Sequence, residues 1–284
     1  MRTRSKLALV AGALTLLGVG ALGWSRVASR ADARAGASDQ HAAEGSATRD
    51  APCGDATDCG RLLKTVEADI AFRTARAAGR DDAWLEWKTI ALDHLERAHL
   101  TGDPSAYAAA QRALDTAFEQ SPPGSGPFLA RARMNFTLHR FDAVEPDLVR
   151  AERAVLVHAK TRARIALFRA DVLYNLQRYD EADAAYRELL KGPPTIGLLA
   201  SAAQAARRTG DFRRGEALLE QAGALAGPRG EARAWVELQL GAVAVERGDL
   251  RAARAHYLAA DRAFSGWYLV HDELASLRGG AASR

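Results

Sequence analysis

The segment Ile165–Pro194 reads IALFRADVLYNLQRYDEADAAYRELLKGPP and holds two helical patterns separated by a short turn. The turn ends in an apolar residue, Tyr179, which is followed by a small residue, Ala182, and then by a large one, Tyr186. Small residues let two helices approach closely, and large residues fill the space toward the next element. The segment therefore predicts two packed helices, that is, a helical hairpin.

The same order of residues recurs on both sides of this segment. Downstream copies run from Leu198 to Ala222 and from Val236 to Ala260, and weaker copies begin at Phe128 and at Trp84. The apolar residues at the five turns are spaced by 34, 38, 33 and 38 residues, and they are Tyr107, Phe141, Tyr179, Phe212 and Leu250. A period of this length indicates an array of helical repeats. The small residues aligned in the first helices are Ala170, Ala203 and Gly241.

This pattern resembles the tetratricopeptide repeat, a helix-turn-helix unit of about 34 residues. The stretches RYDEADAAY at 178–186 and RGDLRAARAHY at 247–257 are similar to the family's turn and second helix, and Pro194 matches its closing proline. The resemblance covers residues 83–278. It implies an all-α fold, a right-handed superhelix (solenoid) of about five hairpins. We expect a capping helix at 61–82 before the repeats and a disordered tail at 279–284 after them.

The chain has 284 residues and a net charge of +4, but its charge is uneven. Residues 1–34 contribute +5, so the remaining chain is close to neutral at −1. Nucleic-acid binding needs a basic patch on the folded body, and this distribution argues against one. The basic residues of the N-terminal segment are Arg2, Arg4, Lys6, Arg26, Arg30 and Arg34.

Residues 1–24 are predicted to form a signal peptide or a membrane-spanning signal anchor. A basic start is followed by Leu7–Trp24, LALVAGALTLLGVGALGW, which carries no charge. Its length suits either a short spanning helix or the core of a signal peptide. Small residues at 19–21 and 31–33 would permit cleavage, so both alternatives stay open. Either way we expect export across a bacterial inner membrane. The protein would then be anchored facing the periplasm, or soluble in the periplasm or secreted if cleaved.

Residues 25–60 contain almost no large apolar side chain, and we expect a disordered linker there. Cys53 and Cys59 are the only cysteines and lie in this linker. In an exported protein such a pair can form a disulfide, and the alternative is two free thiols. A zinc site would need more ligands than this stretch offers, and the spacing does not match a redox CxxC motif.

No motif for catalysis, metal binding or cofactor binding was found in the sequence. The GxGxxG match at 18–23 lies inside the apolar run and lacks the strand and helix that a dinucleotide site needs. His94 and His99 are five residues apart, a spacing that does not place them on one helix face. We therefore expect no catalytic residue, metal, cofactor or small-molecule substrate, and an enzyme is the least favoured class.

The resemblance implies that the first helix of each repeat lines a concave groove that binds a protein or peptide. Arginine and aromatic residues anchor many interfaces, and arginines here could hold an acidic peptide or simply keep the surface soluble. The family's two-carboxylate clamp is not matched, because its positions carry Leu167, Asp171 and Asn175. The residues expected to face the groove are Arg133, Phe136, Asp171, Tyr174, Asn175, Gln204, Arg207, Arg208, Trp235 and Glu246.

Two functions follow from these expectations. The first is a non-enzymatic adaptor in the bacterial envelope that binds its partner in the groove. The alternative is a structural subunit of an envelope assembly, which would act through hairpin edges and end caps. Many unrelated functions share helical-repeat scaffolds, so the pattern alone does not identify the partner.

Overall fold

A computed structural model describes residues 53–153 and 158–282, and every regular element within these ranges is a helix. The prediction of an all-α chain is confirmed. The apolar run Leu7–Trp24 and most of the predicted linker lie outside the described residues. Within the described ranges, no helix is both long enough and apolar enough to span a membrane.

Twelve α-helices follow one another in the described residues, with a short 3-10 turn at Phe141–Ala143 before the fifth. They are α1 Asp58–Ala77, α2 Trp84–Thr101, α3 Ser105–Glu119, α4 Phe128–Thr137, α5 Val144–Glu152, α6 Ala159–Asn175, α7 Tyr179–Leu189, α8 Ile196–Arg208, α9 Phe212–Ala226, α10 Glu231–Arg247, α11 Leu250–Ala263 and α12 Tyr268–Ala282.

Helix ends coincide with capping residues in the sequence. The side chains of Thr195, Asp211 and Asp249 each accept a hydrogen bond from a backbone N–H in the first turn of α8, α9 and α11. Such caps satisfy donors that the helix itself leaves unpaired. Gly102 and Gly248 end α2 and α10 in the left-handed conformation, at φ 68° and 81°. These local signals set where each hairpin turns.

The helices pack in consecutive pairs: α2 with α3, α4 with α5, α6 with α7, α8 with α9, and α10 with α11. Helix α1 packs on α2 before the first pair, and α12 packs on α11 after the last. The small and large positions aligned in the sequence meet inside these pairs. A Cβ atom added to Gly241 of α10 would stand 2.2 Å from the ring of Tyr257 on α11. Only glycine allows the two helices to lie this close.

The first and last parts of the described chain are in contact. The largest buried cluster runs from α6 to α12 and also includes Cys53, Cys59 and Leu100. The backbone N–H of Cys53 donates to Gly266 O at 3.2 Å, and the N–H of Cys59 donates to Ser265 O at 3.1 Å. The segment before α1 is therefore docked on the α11–α12 turn.

The structure corrects two predicted boundaries, one at each end of the described chain. The linker was expected to reach residue 60, but Cys53 and Cys59 are 6% and 0% exposed and α1 begins at Asp58. The reason is that this segment buries its two sulfurs against Leu100 and the α11–α12 turn instead of forming a core of its own. At the other end, α12 continues to Ala282, so the tail predicted at 279–284 is helical as far as residue 282.

Candidate partner-binding face

The ten residues predicted to line a groove lie on α4, α6, α8 and α10, the first helices of four successive pairs. Burial divides them into two groups. Five are at most 7% exposed, and their side chains form part of the core in place of an open surface. We correct their assignment as partner contacts, because neighbouring helices cover them. They are Phe136, Asp171, Tyr174, Gln204 and Trp235.

Asp171 is a buried acid between helices. Tyr186 on α7 donates its hydroxyl hydrogen to Asp171 Oδ1 at 2.8 Å. Burial raises the pKa of Asp171 to about 8, and the hydrogen bond from Tyr186 offsets only part of this rise. Near neutral pH the carboxyl group is therefore mostly protonated, and it serves as an internal hydrogen-bonding group in the α6–α7 hairpin.

The other buried members pack within and between hairpins. The Phe136 ring makes edge contacts with Phe141 and Phe168, at centroid distances of 5.5 and 5.9 Å. Gln204 of α8 donates its amide to Gln239 Oε1 of α10 at 3.2 Å, so two successive first helices are joined through buried amides. Both kinds of contact stabilise the stacking of hairpins. The hydrogen bond also pairs amide groups that would be costly to bury alone.

Two of the predicted arginines are held in ion pairs that also link successive first helices. Arg133 of α4 is 11% exposed, with its Nη2 atom 3.7 Å from Glu96 Oε2 of α2. Arg207 of α8 is 9% exposed, with its Nη2 atom 2.6 Å from Glu246 Oε2 of α10. Burial lowers the pKa of Arg133, and the nearby Glu96 opposes this effect. Both guanidinium groups are thus largely covered and lie beside a carboxylate, which argues against their holding an acidic ligand.

The remaining predicted residues lie near the turns of the hairpins. Arg208 is exposed, and its guanidinium carbon stands 5.2 Å from the centre of the Tyr179 ring. Asn175 is half-buried and donates its amide to the Asp171 backbone oxygen at 2.8 Å. Glu246 is exposed at the end of α10. Of the ten residues predicted to line the groove, Asn175, Arg208 and Glu246 are the ones whose side chains reach solvent at the turns.

Exposed apolar residues lie at the same turns. Leu176, Phe212 and Leu250 are 47%, 43% and 37% exposed. Phe212 and Leu250 were identified in the sequence only as turn residues, and their exposure was not anticipated because repeat patterns report packing, not solvent access. We name this set the turn rim, and its members are Asn175, Leu176, Arg208, Phe212, Glu246 and Leu250.

One polar contact joins the first hairpin, α2–α3, to the fifth, α10–α11. Nε2 of His99, at the end of α2, is 3.0 Å from Oε1 of Glu231, at the start of α10. Trp267 packs edge-on against the imidazole at 4.9 Å and donates its indole N–H to the His99 backbone oxygen. Burial tends to raise the pKa of Glu231, but the hydrogen bond and charge of His99, with Arg133 nearby, lower it overall. Sequence spacing gave no signal for this contact.

The arrangement supports non-covalent contact through exposed arginine and apolar side chains. Within residues 53–153 and 158–282, no group of three or more His, Cys, Asp or Glu side chains is placed to hold a metal ion. The cysteine pair is joined as a Cys53–Cys59 disulfide inside the buried cluster.

Comparison with known proteins gives little further guidance. No family model matches the sequence, and no curated protein matches it. Among solved structures, the chain is similar to BtubC (BKLC) from P. vanneervenii at 14% sequence identity and a TM-score of 0.43. The match covers 79% of this chain and 84% of that chain. A likeness of this degree identifies neither a family nor a function.

Proposed function

We propose that the protein is a non-enzymatic scaffold of the tetratricopeptide type that binds a protein or peptide partner in the bacterial envelope. The observation that carries the proposal is the succession of five helical hairpins, each in contact with the next. Pairs such as Arg133–Glu96 and Arg207–Glu246 join first helices of neighbouring hairpins. This order of contacts supports a stacked array of hairpins, and the resemblance to the repeat family implies a right-handed superhelix with the first helices on its inner side.

The turn rim is the part of this scaffold that we assign to partner binding. Exposed apolar side chains next to an arginine combine the two chemistries that anchor interfaces. Arg207 is paired with Glu246, whereas Arg208 lies over the Tyr179 ring and forms no ion pair with a described residue, so Arg208 supplies the positive charge of the rim. We therefore propose a partner segment that carries apolar residues beside a carboxylate.

The envelope location rests on the N-terminal segment. Its basic start and its uncharged run, Leu7–Trp24, are typical of export signals and signal anchors. Intact-mass measurement of the chain purified from its native cells tests the proposal. Retention of residues 1–24 in a membrane fraction supports an anchor, and loss of the segment supports cleavage. An intact chain in the cytoplasm would contradict export.

A photo-crosslinking residue placed at single positions tests the rim directly. We expect discrete adducts from positions 176 and 212, since both side chains are exposed in the rim. Leu225 is the matched control, because it is 53% exposed and apolar but lies at the other end of α9. Arg208→Glu should reduce the rim adducts at least about fivefold, equivalent to about 1 kcal/mol of lost affinity. The same adducts from all three positions, or none from the rim, would contradict the proposal.

A structural subunit of an envelope assembly is the second candidate. It is favoured by exposed apolar residues at the start of the array, where Phe72 of α1 and Leu85 of α2 are 57% and 52% exposed. An isolated apolar side chain is ordinary, but two on the terminal helices suit end-to-end contact. Light scattering on the full chain and on Phe72→Ser/Leu85→Ser tests this candidate. A concentration-dependent oligomer that the double variant abolishes would support it, and a monomer in both would exclude it.

A further inference from the structure

A cleft of about 550 Å³ opens between the end of α9, the α9–α10 connection, the first turns of α10, and α11. Small-molecule sites commonly occupy about 300–1,000 Å³, so the cleft is large enough for a compact ligand. Its charged lining consists of three arginines, Arg229, Arg233 and Arg262, with a single acid, Glu237. The other lining residues are small or apolar, including Gly223 and Ala259.

The acid of the cleft is already neutralised by its neighbours. Glu237 is 4% exposed and pairs with Arg233 Nη2 through Oε1. Its other oxygen, Oε2, lies 2.8 Å from His256 Nδ1. Arg229 and Arg262 are exposed, and neither forms an ion pair with any residue in the described ranges. The cleft therefore presents two guanidinium groups that form no ion pair with a carboxylate of residues 53–153 or 158–282.

One of the three arginine side chains is held in place, and the connection that carries a second is tied to a neighbouring helix. Arg233 Nη1 donates to Gly223 O at 3.3 Å, so this guanidinium is fixed by both Gly223 and Glu237. The connection that carries Arg229 is tied to α11, because Gly230 N donates to Ala263 O at 2.8 Å. Gly230 has φ 97°, a conformation that favours glycine. Arg233 is therefore preorganised, and fixing a donor in advance lowers the entropic cost of binding an anion.

We propose that this cleft binds a compact multivalent oxyanion, a ligand with two or more adjacent phosphoryl or carboxylate groups. Guanidinium groups match the geometry of such oxygens and form paired hydrogen bonds with them. The cleft is separate from the turn rim, since Phe212 and Gly223 lie toward opposite ends of α9. At 1.5 Å per residue the helix places these two residues about 17 Å apart. The cleft thus uses residues that the rim does not.

Calorimetric titration of the full chain with pyrophosphate and, separately, with citrate tests the proposal. Arg229→Gln/Arg262→Gln removes the two unbalanced charges of the cleft. Arg251→Gln/Arg254→Gln is the matched control, because it removes two exposed arginines of α11 that do not line the cleft. We expect the cleft variant to raise the Kd at least about tenfold and the control to change it less than about twofold.

The outcomes separate the ligand chemistries and the two proposals. Binding of pyrophosphate alone identifies a phosphoryl ligand, binding of citrate alone identifies a carboxylate ligand, and binding of both supports a general oxyanion site. Equal losses in the two double variants, or no binding of either anion by the wild-type chain at millimolar concentration, would overturn the inference. Crosslinking from the rim should be unchanged in the cleft variant, so failure of one proposal does not imply failure of the other.

Discussion

His99 and Glu231 are 132 residues apart in the sequence, yet His99 Nε2 lies 3.0 Å from Glu231 Oε1. The contact fastens the end of α2 to the start of α10. Trp267 covers it from the α12 side, so the His99 side chain is only 3% exposed. Few other polar contacts in the described chain join hairpins so far apart in order.

Removal of this contact is expected to destabilise the fold. Glu231→Ala leaves the buried imidazole N–H without an acceptor, and we expect a loss of about 1–3 kcal/mol in the free energy of unfolding. Chemical denaturation of the two chains measures it. Glu216→Ala is the control, because Glu216 pairs with Arg247 at a partly exposed site and should cost at most about 1 kcal/mol. Equal losses of stability from the two substitutions would contradict a stabilising role of the His99–Glu231 contact beyond that of an exposed ion pair.

Asp171 is expected to make stability depend on pH. Its pKa is about 8 in the folded chain but near 3.8 when exposed, so unfolding releases a proton between these values. The stabilising contribution of this group is complete below about pH 4 and declines as pH rises toward 8. Asp171→Asn removes the titration. Between pH 5 and 8 the wild type should lose about 1–4 kcal/mol of unfolding free energy relative to the variant.

Denaturation curves collected across this range check the expectation. Tyr186→Phe is the matched control, because it removes the hydrogen-bond donor but leaves Asp171 buried. Its pH slope should therefore persist, since burial is the main cause of the raised pKa. An Asp171→Asn variant with the wild-type slope would show that this carboxyl group does not titrate as proposed.

Close packing of α10 on α11 predicts that Gly241→Ala is destabilising. The added Cβ atom would overlap the ring of Tyr257, which is buried. Overpacking typically costs about 1–3 kcal/mol, enough to exceed the gain of about 1 kcal/mol from better helix propensity. The Cβ atom added by Gly192→Ala would meet only Leu189 O, at 3.4 Å, and this change should alter stability by less than about 0.5 kcal/mol. If Tyr257→Leu does not relieve the cost of Gly241→Ala, steric overlap is not its cause.

The disulfide is expected to hold the segment before α1 on the α11–α12 turn. Linking Cys53 to Cys59 closes a short loop, for which chain entropy suggests about 2 kcal/mol of stabilisation. Reductant should therefore lower the unfolding temperature and speed amide exchange at both cysteines. The Cys53→Ser/Cys59→Ser variant should not respond to reductant. An oxidised wild type whose exchange is unchanged by reduction would argue against this role.

The hairpins were predictable because their signals are local. Turn residues such as Tyr179, capping residues such as Asp211 and the small position at Gly241 all act within one or two neighbouring helices. A single sequence records such interactions at fixed spacing. The all-α architecture and the positions of the helix pairs therefore followed from the repeat alone.

The contact surface was less predictable because burial depends on partners distant in the sequence. Tyr174 and Trp235 occupy positions expected to face a groove, yet both are buried by neighbouring elements. Cys53 lies in a stretch too poor in apolar residues to fold alone, and it is ordered through the distant Gly266. Neither fact has a local sequence signal, since each requires knowledge of which helices meet.

The docking of the segment before α1 has a mechanical consequence. Residues 1–52 join the described body at Cys53, and this residue is hydrogen-bonded to Gly266. Asp58 also accepts two hydrogen bonds from Ser265, at 3.0 and 2.9 Å. A pull on the N-terminal segment would thus act on the first and last hairpins together, and would not simply unwind the array from one end. Any tether fixed to a surface would thus hold the body by its joined ends.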